Sequence, residues 1–385
     1  MTNFSFRAPA RIVSEIGGIA RVGALAAELG MRRPLVVCDP GIVACGIAAR
    51  TVDALVAAGL DVAVFNEVEA DPPVAMVRRA VAAAQTAGAD GVIGLGGGSS
   101  LDTAKLVALL VRSAQSLEEI YGVDLARGFR LPLIQVPTTA GTGSEVTWAS
   151  VVTNERNEKK AVYAPQLLPD VALLDAALTV GMPPRITAAT AIDAMVHAIE
   201  GYTSRTKKNP VADALARKAL QLLSANLPRV LANGHDLDAR AAVLEGALLG
   251  GMAFVNASVA AIHGLAYPLG ARFHIPHGHA NALVMGPVLR FNLRAASTQY
   301  AELAACVLPG QRFGSEREAA EAFVATMEAM AGLGGLETRL SPFGVSANDI
   351  PSMADEVVTQ IHRLIDTNPC DMGAEEVAAL YRAVL

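Results

Sequence analysis

Short apolar runs recur through the first 180 residues, and helix-forming segments lie between them. Leu35 to Cys38, Val62 to Phe65, Val92 to Leu95, Leu133 to Val136 and Val171 to Leu174 are each β-branched or apolar and bounded by Gly, Pro or Asp, which predicts buried strands. The first three are spaced by about thirty residues, with helical segments such as Ile47 to Ala58 and Val74 to Ala87 between them. That is the rhythm of βαβ crossovers, because parallel strands need a long covering connection. A mainly parallel sheet buried on both faces follows.

After Met182-Pro183-Pro184 the pattern changes to long Ala/Leu segments with almost no strand-like runs. Val211, Leu215, Ala219, Leu222 and Leu223 recur at steps of one helix face and are expected to be its buried side. The 385 residues, at about 150 per domain, allow two or three domains. The change of pattern favours two. Residues 1–181 are read as a Rossmann-like α/β domain and residues 182–385 as an all-helical one. The stretches at Pro309-Gly310 and Ser341-Pro342 read as helix connections.

Composition narrows the function classes. The chain is 52% hydrophobic and only 18% charged, with a mean hydropathy of +0.38, which raises the question of a membrane. A spanning helix needs about 20 predominantly apolar residues, and the longest apolar stretch, Ala247 to Ile262, is interrupted by Asn256 and Ser258. The segment from Met1 to Val13 lacks a basic run followed by an apolar one, so no secretory signal is expected. The reading is a cytoplasmic protein without a membrane partner. A net charge of −6, with the densest basic cluster at Arg205, Lys207 and Lys208, argues against nucleic acid as a partner. Cys38, Cys45, Cys306 and Cys370 show no CxxC spacing, so free thiols in a reducing compartment are expected and no thiolate zinc site.

Three features of the first half suit a dinucleotide. Gly94 to Lys105 carries Gly96-Gly97-Gly98-Ser99 and Asp102 between a predicted strand and a helix, where glycines let backbone N–H groups approach a diphosphate. Pro137 to Glu145, also after a strand, offers Thr138, Thr139, Thr142 and Ser144 as small donors; by itself it reads better as a hydrogen-bonded turn. Asp39 ends the first predicted strand, where a carboxylate can bind a ribose diol and repel a 2′-phosphate; an isolated Asp there also serves as a helix cap. The order is unusual, because the acid precedes the glycines instead of following them.

The second half carries a different constellation. Asp193 and His197, at i and i+4, share one helix face. Four of the seven histidines, His263, His274, His277 and His279, crowd into residues 263–279. For His274 and His279 a surface or core-capping role is the simpler expectation. Asp193, His197, His263 and His277 together form an N₃O donor set, suited to Fe²⁺ or Zn²⁺ more than to cations that require all-oxygen shells. The choice between iron and zinc stays open.

Taken together, Gly96-Gly97-Gly98-Ser99 with Asp102, Ala104 and Lys105, the Pro137 to Ser144 loop, Asp175, Ala191 to Glu200, and His263-Gly264 through Pro276-His277-Gly278 resemble the iron-containing (group III) alcohol dehydrogenases over essentially the whole chain. The resemblance implies a dehydroquinate synthase-like plan, with an N-terminal dinucleotide domain and a C-terminal helical metal domain. It implies metal ligation by Asp193, His197, His263 and His277. It also implies a nicotinamide site lined by Asp39, Gly97, Gly98, Ser99, Thr138, Thr139, Thr147, Lys160 and Leu178, and a substrate cavity near Trp148, Ala149, Phe254 and Val259. Tyr267 stands where many members have a second histidine. A phenol, with its reference pKa near 10, is a poorer proton relay at neutral pH than imidazole.

The activity so implied is NAD(H)-dependent interconversion of a small primary alcohol, diol or hydroxy acid and its aldehyde or semialdehyde, with a metal polarising the substrate oxygen. Family resemblance also implies a homo-oligomer. Three rivals are a maleylacetate-type reductase of the same fold, a metal-dependent hydrolase without NAD, and a non-catalytic scaffold. The first generally lacks the full ligand set present here. The second leaves the glycine and threonine loops without a purpose, and the third needs neither constellation.

Overall fold

The computed structural model describes residues 3–156 and 158–385. Its chain divides into two compact units, one spanning Arg7–Gly181 and one spanning Met182–Leu385. The described residues ahead of Arg7 group with the second unit, where the sequence reading had kept them in the first.

The first unit contains β1 (Arg11–Ser14), α1 (Val22–Glu28), β2 (Pro34–Val37), α2 (Pro40–Ala44), α3 (Ile47–Ala57), β3 (Ala63–Phe65), α4 (Val74–Thr86), β4 (Gly91–Gly96), α5 (Gly98–Leu110), β5 (Gly122–Val123), β6 (Leu133–Pro137), β7 (Ala149–Thr153), β8 (Lys159–Tyr163) and β9 (Val171–Leu174). Six strands form one sheet in the order β1-β9-β6-β4-β2-β3, and every pairing in it is parallel. The pleat sends alternate side chains to opposite faces. Leu35, Val37, Val92 and Leu133 join residues of α4 and α5 in one core. Val36, Ile93, Leu95, Ile134 and Val136 join residues of α1 and α3 in the other.

Strand order explains the unusual position of the acid. The chain leaves β2 for the edge at β3, then returns to lay β4 on the other side of β2. The carboxyl ends of β2 and β4 therefore flank a topological switch point, the place where open α/β sheets bind ligands. Asp39 follows β2 and the glycine turn follows β4, so the two are neighbours in space although the acid comes first in the chain.

Four strands were not anticipated. β1 is an edge strand in which only Val13 is buried. β5, β8 and β7 form a separate three-stranded sheet, with β7 and β8 antiparallel and Ser150 opposite Val162.

The second unit holds α6 (Pro184–Thr203), α7 (Pro210–Ala232), α8 (Leu237–Ala257), α9 (Ala261–Phe273), α10 (His277–Val307), α11 (Glu316–Ala331), α12 (Ile350–Thr359), α13 (His362–Ile365) and α14 (Ala374–Ala383), with no strand among its described residues. α6 packs against α7, α8 and α10, and every residue from Ala191 to Thr203 is buried. A helix buried all round is the centre of its unit. The buried face of α7 runs through Ala212, Ala216, Ala219, Leu220, Leu223 and Leu227. The expected face is thus corrected by a rotation: Val211 is exposed, and Leu215 and Leu222 lie at its border. Alanines at Ala212, Ala216 and Ala219 permit close approach to α6 and α8, and so occupy the buried side.

No single helix among the described residues is long and apolar enough to cross a membrane; only α8 and α9 taken together pass on composition, and they meet at a 104° bend. At that bend Ser258 adopts a positive φ of 80°.

Candidate metal and cofactor site

α6 is the platform of the candidate metal site, since Asp193, His197 and Glu200 lie one turn apart along it. α10 begins directly against α6. A Cβ at Gly278 would collide with the carbonyl oxygen of Ala189 and stand 3.3 Å from Cβ of Asp193. Glycine therefore permits the contact that brings His277 to Asp193. His263, in the first turn of α9, arrives from a third direction.

The donors converge. Asp193 Oδ1 lies 3.6 Å from His263 Nε2, 3.6 Å from His277 Nε2 and 3.8 Å from His197 Nε2. Asp193, His263 and His277 each offer one ligand atom within 4.8 Å of the others. Burial opposes ionisation of Asp193, but the imidazoles of His197, His277 and His263 outweigh it and hold the carboxyl well below the usual carboxylate range. Burial likewise opposes a charged His263, yet Glu200 and Asp193 push its pKa up to about 9. An ionised carboxylate among three imidazoles, two of them buried, is a donor set that fits Fe²⁺ or Zn²⁺. His277 has a side chain 45% exposed, against 3% for Asp193, so the site opens on the His277 side.

Two residues without an assigned role from sequence complete this site. Glu200 Oε2 accepts from His263 Nδ1 at 2.7 Å. The same carboxylate accepts from the backbone N–H groups of Ala260 at 2.8 Å and Ile262 at 2.6 Å. It fixes the tautomer of His263 and turns Nε2 toward the other donors. Its signal in sequence was only its place three residues after His197. Asn281 donates from Nδ2 to Asp193 Oδ1 at 2.6 Å, and nothing in the spacing singled it out.

Around these donors, Phe254 stacks on His197 with ring centroids 4.1 Å apart. The Tyr267 and His277 rings are 6.1 Å apart. Val259 lies at the α8–α9 bend, where its carbonyl accepts from Thr367 Oγ1. His274 and His279 stand apart. His274 ends α9 in the left-handed conformation, and His279 Nε2 contacts the Glu337 carbonyl oxygen at 2.8 Å.

In the first unit, the carboxyl ends of β2, β4 and β6 assemble the candidate cofactor residues. Gly96 has a φ of +142°, and a Cβ there would sit 2.7 Å from Ser100 Oγ, so this turn requires glycine. Gly97 caps α5 without a side-chain hydrogen bond, leaving the first-turn N–H groups of a thirteen-residue helix. The threonine loop closes over the glycines: a Cβ at Gly97 would lie 3.4 Å from Thr139 and one at Gly98 3.0 Å from Thr142. Thr138 is held by its N–H to the Gly96 carbonyl at 2.9 Å. Asp39 Oδ1 accepts from Gly41 and Ile42 N–H groups, while Ser100 Oγ stands 3.3 Å from Oδ2. The carboxylate is therefore a helix cap as well as a ligand candidate.

The remaining cofactor candidates make contacts within the protein. Lys105 Nζ, fully buried, donates to Ser144 Oγ at 2.8 Å, Thr147 Oγ1 at 3.0 Å and the Ala149 carbonyl at 2.7 Å, and pairs with Asp102 at 3.3 Å. Burial lowers the pKa of this ammonium, against the attraction of Asp102. Asp102 also accepts from Ser144 Oγ and the Val151 N–H. The side chains of Asp102 and Thr147 thus tie α5 to the threonine loop and β7. Leu178 belongs to the apolar core on the α1 and α3 face. Lys160, on β8, pairs with Glu158 at 2.8 Å. Trp148 packs edge-on to Tyr163, with ring centroids 5.8 Å apart, under the Arg7 guanidinium.

Residues 9–176 match the family model described as iron-containing alcohol dehydrogenase, and residues 187–385 match that of the Fe-containing alcohol dehydrogenase family, C-terminal. The chain belongs to the iron-containing alcohol dehydrogenase family. It is 38% identical to the long-chain-alcohol dehydrogenase 1 of Geobacillus thermodenitrificans, over 92% of this chain and 90% of that one. Among solved structures, a 1,3-propanediol oxidoreductase superposes with a TM-score of 0.96 at 33% identity, covering 100% of both chains. The sulfoacetaldehyde reductase of Bifidobacterium kashiwanohense, solved in complex with NAD⁺, superposes with a TM-score of 0.88 at 27% identity over 100% of this chain and 99% of that one. As an iron-containing alcohol dehydrogenase family member, the chain is a metal-dependent oxidoreductase of alcohols and aldehydes.

Proposed function

We propose that this enzyme interconverts a small primary alcohol, diol or hydroxy acid and the corresponding aldehyde or semialdehyde, passing the hydride to or from NAD(H). The observation that carries the reading is the convergence of Asp193, His263 and His277 within 4.8 Å, on a site that Glu200 orients. His197, 3.8 Å from Asp193, is the fourth ligand in this reading. A divalent cation held there supplies Lewis-acid polarisation of the substrate oxygen. Phe254 and Val259 bound the apolar side, and the exposed edge of His277 admits the substrate. Tyr267 holds a hydroxyl on the His263 face of α9 in place of an imidazole.

For the cofactor, the first-turn N–H groups of α5 with Gly97, Gly98 and Ser99 receive the diphosphate, and Thr138, Thr139 and Thr142 bound it. Asp39 faces the ribose and selects NAD over NADP. Asp102 and Thr147 act on this site by holding its loops, and Lys160 and Leu178 line it. The domains act as 1–181 for the cofactor and 182–385 for the metal. A reducing, cytoplasmic setting agrees with four free cysteines. Assembly into a homo-oligomer agrees with edge strand β1, where Ile12 is exposed, as is Ile16 just beyond it.

The test is anaerobic purification with metal analysis, followed by an NADH-linked screen of short alcohols, diols, hydroxy-aldehydes and semialdehydes. About one metal per chain and metal-dependent NADH turnover are expected. Turnover that survives exhaustive chelation, or hydrolysis without NADH consumption, overturns the reading.

A further inference from the structure

Asn281 follows His277 by one turn of α10 and is fully buried. Its Nδ2 lies 2.6 Å from Asp193 Oδ1, 3.3 Å from His263 Nε2 and 3.4 Å from His277 Nε2. One carboxamide thus meets three of the four converging donors. Its own Oδ1 is buried and has no hydrogen-bond partner. An orphaned buried amide oxygen is rare in folded proteins and calls for a partner.

We propose that Asn281 is a working member of the metal site: its carboxamide positions Asp193 while the site is empty and, turned over, presents an amide oxygen to a divalent cation that fills it. The amide has two ends of opposite polarity on one rotatable bond. With Nδ2 forward it donates to Asp193 Oδ1 and lies 3.3 and 3.4 Å from the Nε2 atoms of His263 and His277. A half-turn about Cβ–Cγ puts Oδ1 forward, the end that a cation among those donors attracts. Asparagine does this without adding charge, whereas leucine of similar volume offers neither end. The inference rests on the metal-site reading above, and its test separates the two.

The test compares wild type, Asp193→Ala, Asn281→Leu and Asn281→Asp, each stripped by chelator, checked by thermal melting, and titrated with Co²⁺ against a chromophoric chelator while visible absorption is recorded. Asp193→Ala should lose the Co²⁺ bands. Asn281→Leu should bind Co²⁺ roughly 10–100-fold more weakly with an unchanged melting curve for the stripped protein. Asn281→Asp should retain the affinity and shift the bands, because the donor at that position has changed. Wild-type affinity and spectrum in Asn281→Leu overturn the role of Asn281 while leaving the site reading intact; Co²⁺ bound normally by Asp193→Ala overturns the site reading itself. Should Asn281→Leu fail to fold, Asn281→Asp decides: an unshifted spectrum overturns the proposal.

Discussion

Glu200 and His263 stand 2.7 Å apart, joined by a hydrogen bond from Nδ1 to a carboxylate that also caps the first turn of α9. One side chain therefore sets both the start of the helix and the direction of its imidazole. Glu200→Gln keeps the volume but turns an NH₂ toward one of three donors. Metal affinity should fall roughly 10–100-fold, and stability by about 1–3 kcal/mol from the unsatisfied buried N–H. Equilibrium dialysis with metal analysis and a urea titration read the two effects. Full metal occupancy in the variant would reduce Glu200 to a helix cap.

Direct ligands should matter more than the group that orients them. His263→Ala and His197→Ala should each weaken metal binding by more than about 100-fold, beyond the range for orienting residues, and abolish NADH-linked turnover. Their far-UV circular dichroism should match wild type. Retained metal in both variants would contradict the ligand assignment.

Asp39 caps α2 and, in the proposed reading, faces the ribose, and one substitution can separate the two. Asn at this position keeps an oxygen to accept from the Gly41 and Ile42 N–H groups but carries no charge toward a 2′-phosphate. Asp39→Asn should raise kcat/KM for NADPH relative to NADH by about tenfold or more, a change of at least about 1.4 kcal/mol, with thermal stability nearly unchanged. Asp39→Ala should show the same switch but lose about 1 kcal/mol of stability with the cap. An unaltered cofactor ratio in both would remove Asp39 from the ribose site.

Glu145 predicts a pH effect of definite sign. Burial raises its pKa from 4.5 to about 7, against its own backbone N–H and Lys105, which lower it. Between those values the folded state holds a proton that the unfolded state has released, so stability falls as pH rises through that window. Glu145→Gln is neutral throughout. Relative to wild type it should gain roughly 1–3 kcal/mol between pH 4.5 and pH 8, measured as the difference in urea-unfolding free energy. A difference independent of pH would show that the carboxyl titrates normally.

Much of this architecture was legible because buried parallel strands leave continuous apolar runs. β2, β4, β6 and β9 each show four or more consecutive buried residues. β1 left no such trace because an edge strand buries one side chain, β7 alternates, and β8, with Lys159 and Lys160, buries only Val162. The candidate metal donors were legible through the density of histidine in a chain poor in it. Asp39 was legible as a residue but out of order, and only the strand order explains its place beside the glycines. Glu200 and Asn281 were hidden for another reason. Their roles depend on atoms far along the chain, backbone N–H groups some sixty residues away for Glu200 and the Asp193 carboxylate 88 residues away for Asn281, and no local pattern encodes such meetings.

The burial of Lys105 bears on how the enzyme should respond to salt. Its ammonium faces Asp102, Ser144, Thr147 and the Ala149 carbonyl, all within the protein. A diphosphate at the start of α5 would then be held by neutral N–H groups in place of a mobile surface cation. Ionic strength screens exposed charge pairs far more than short hydrogen bonds in a partly dry turn. Affinity for the dinucleotide should therefore change little between dilute buffer and molar salt, a tolerance derived from where one lysine is hidden.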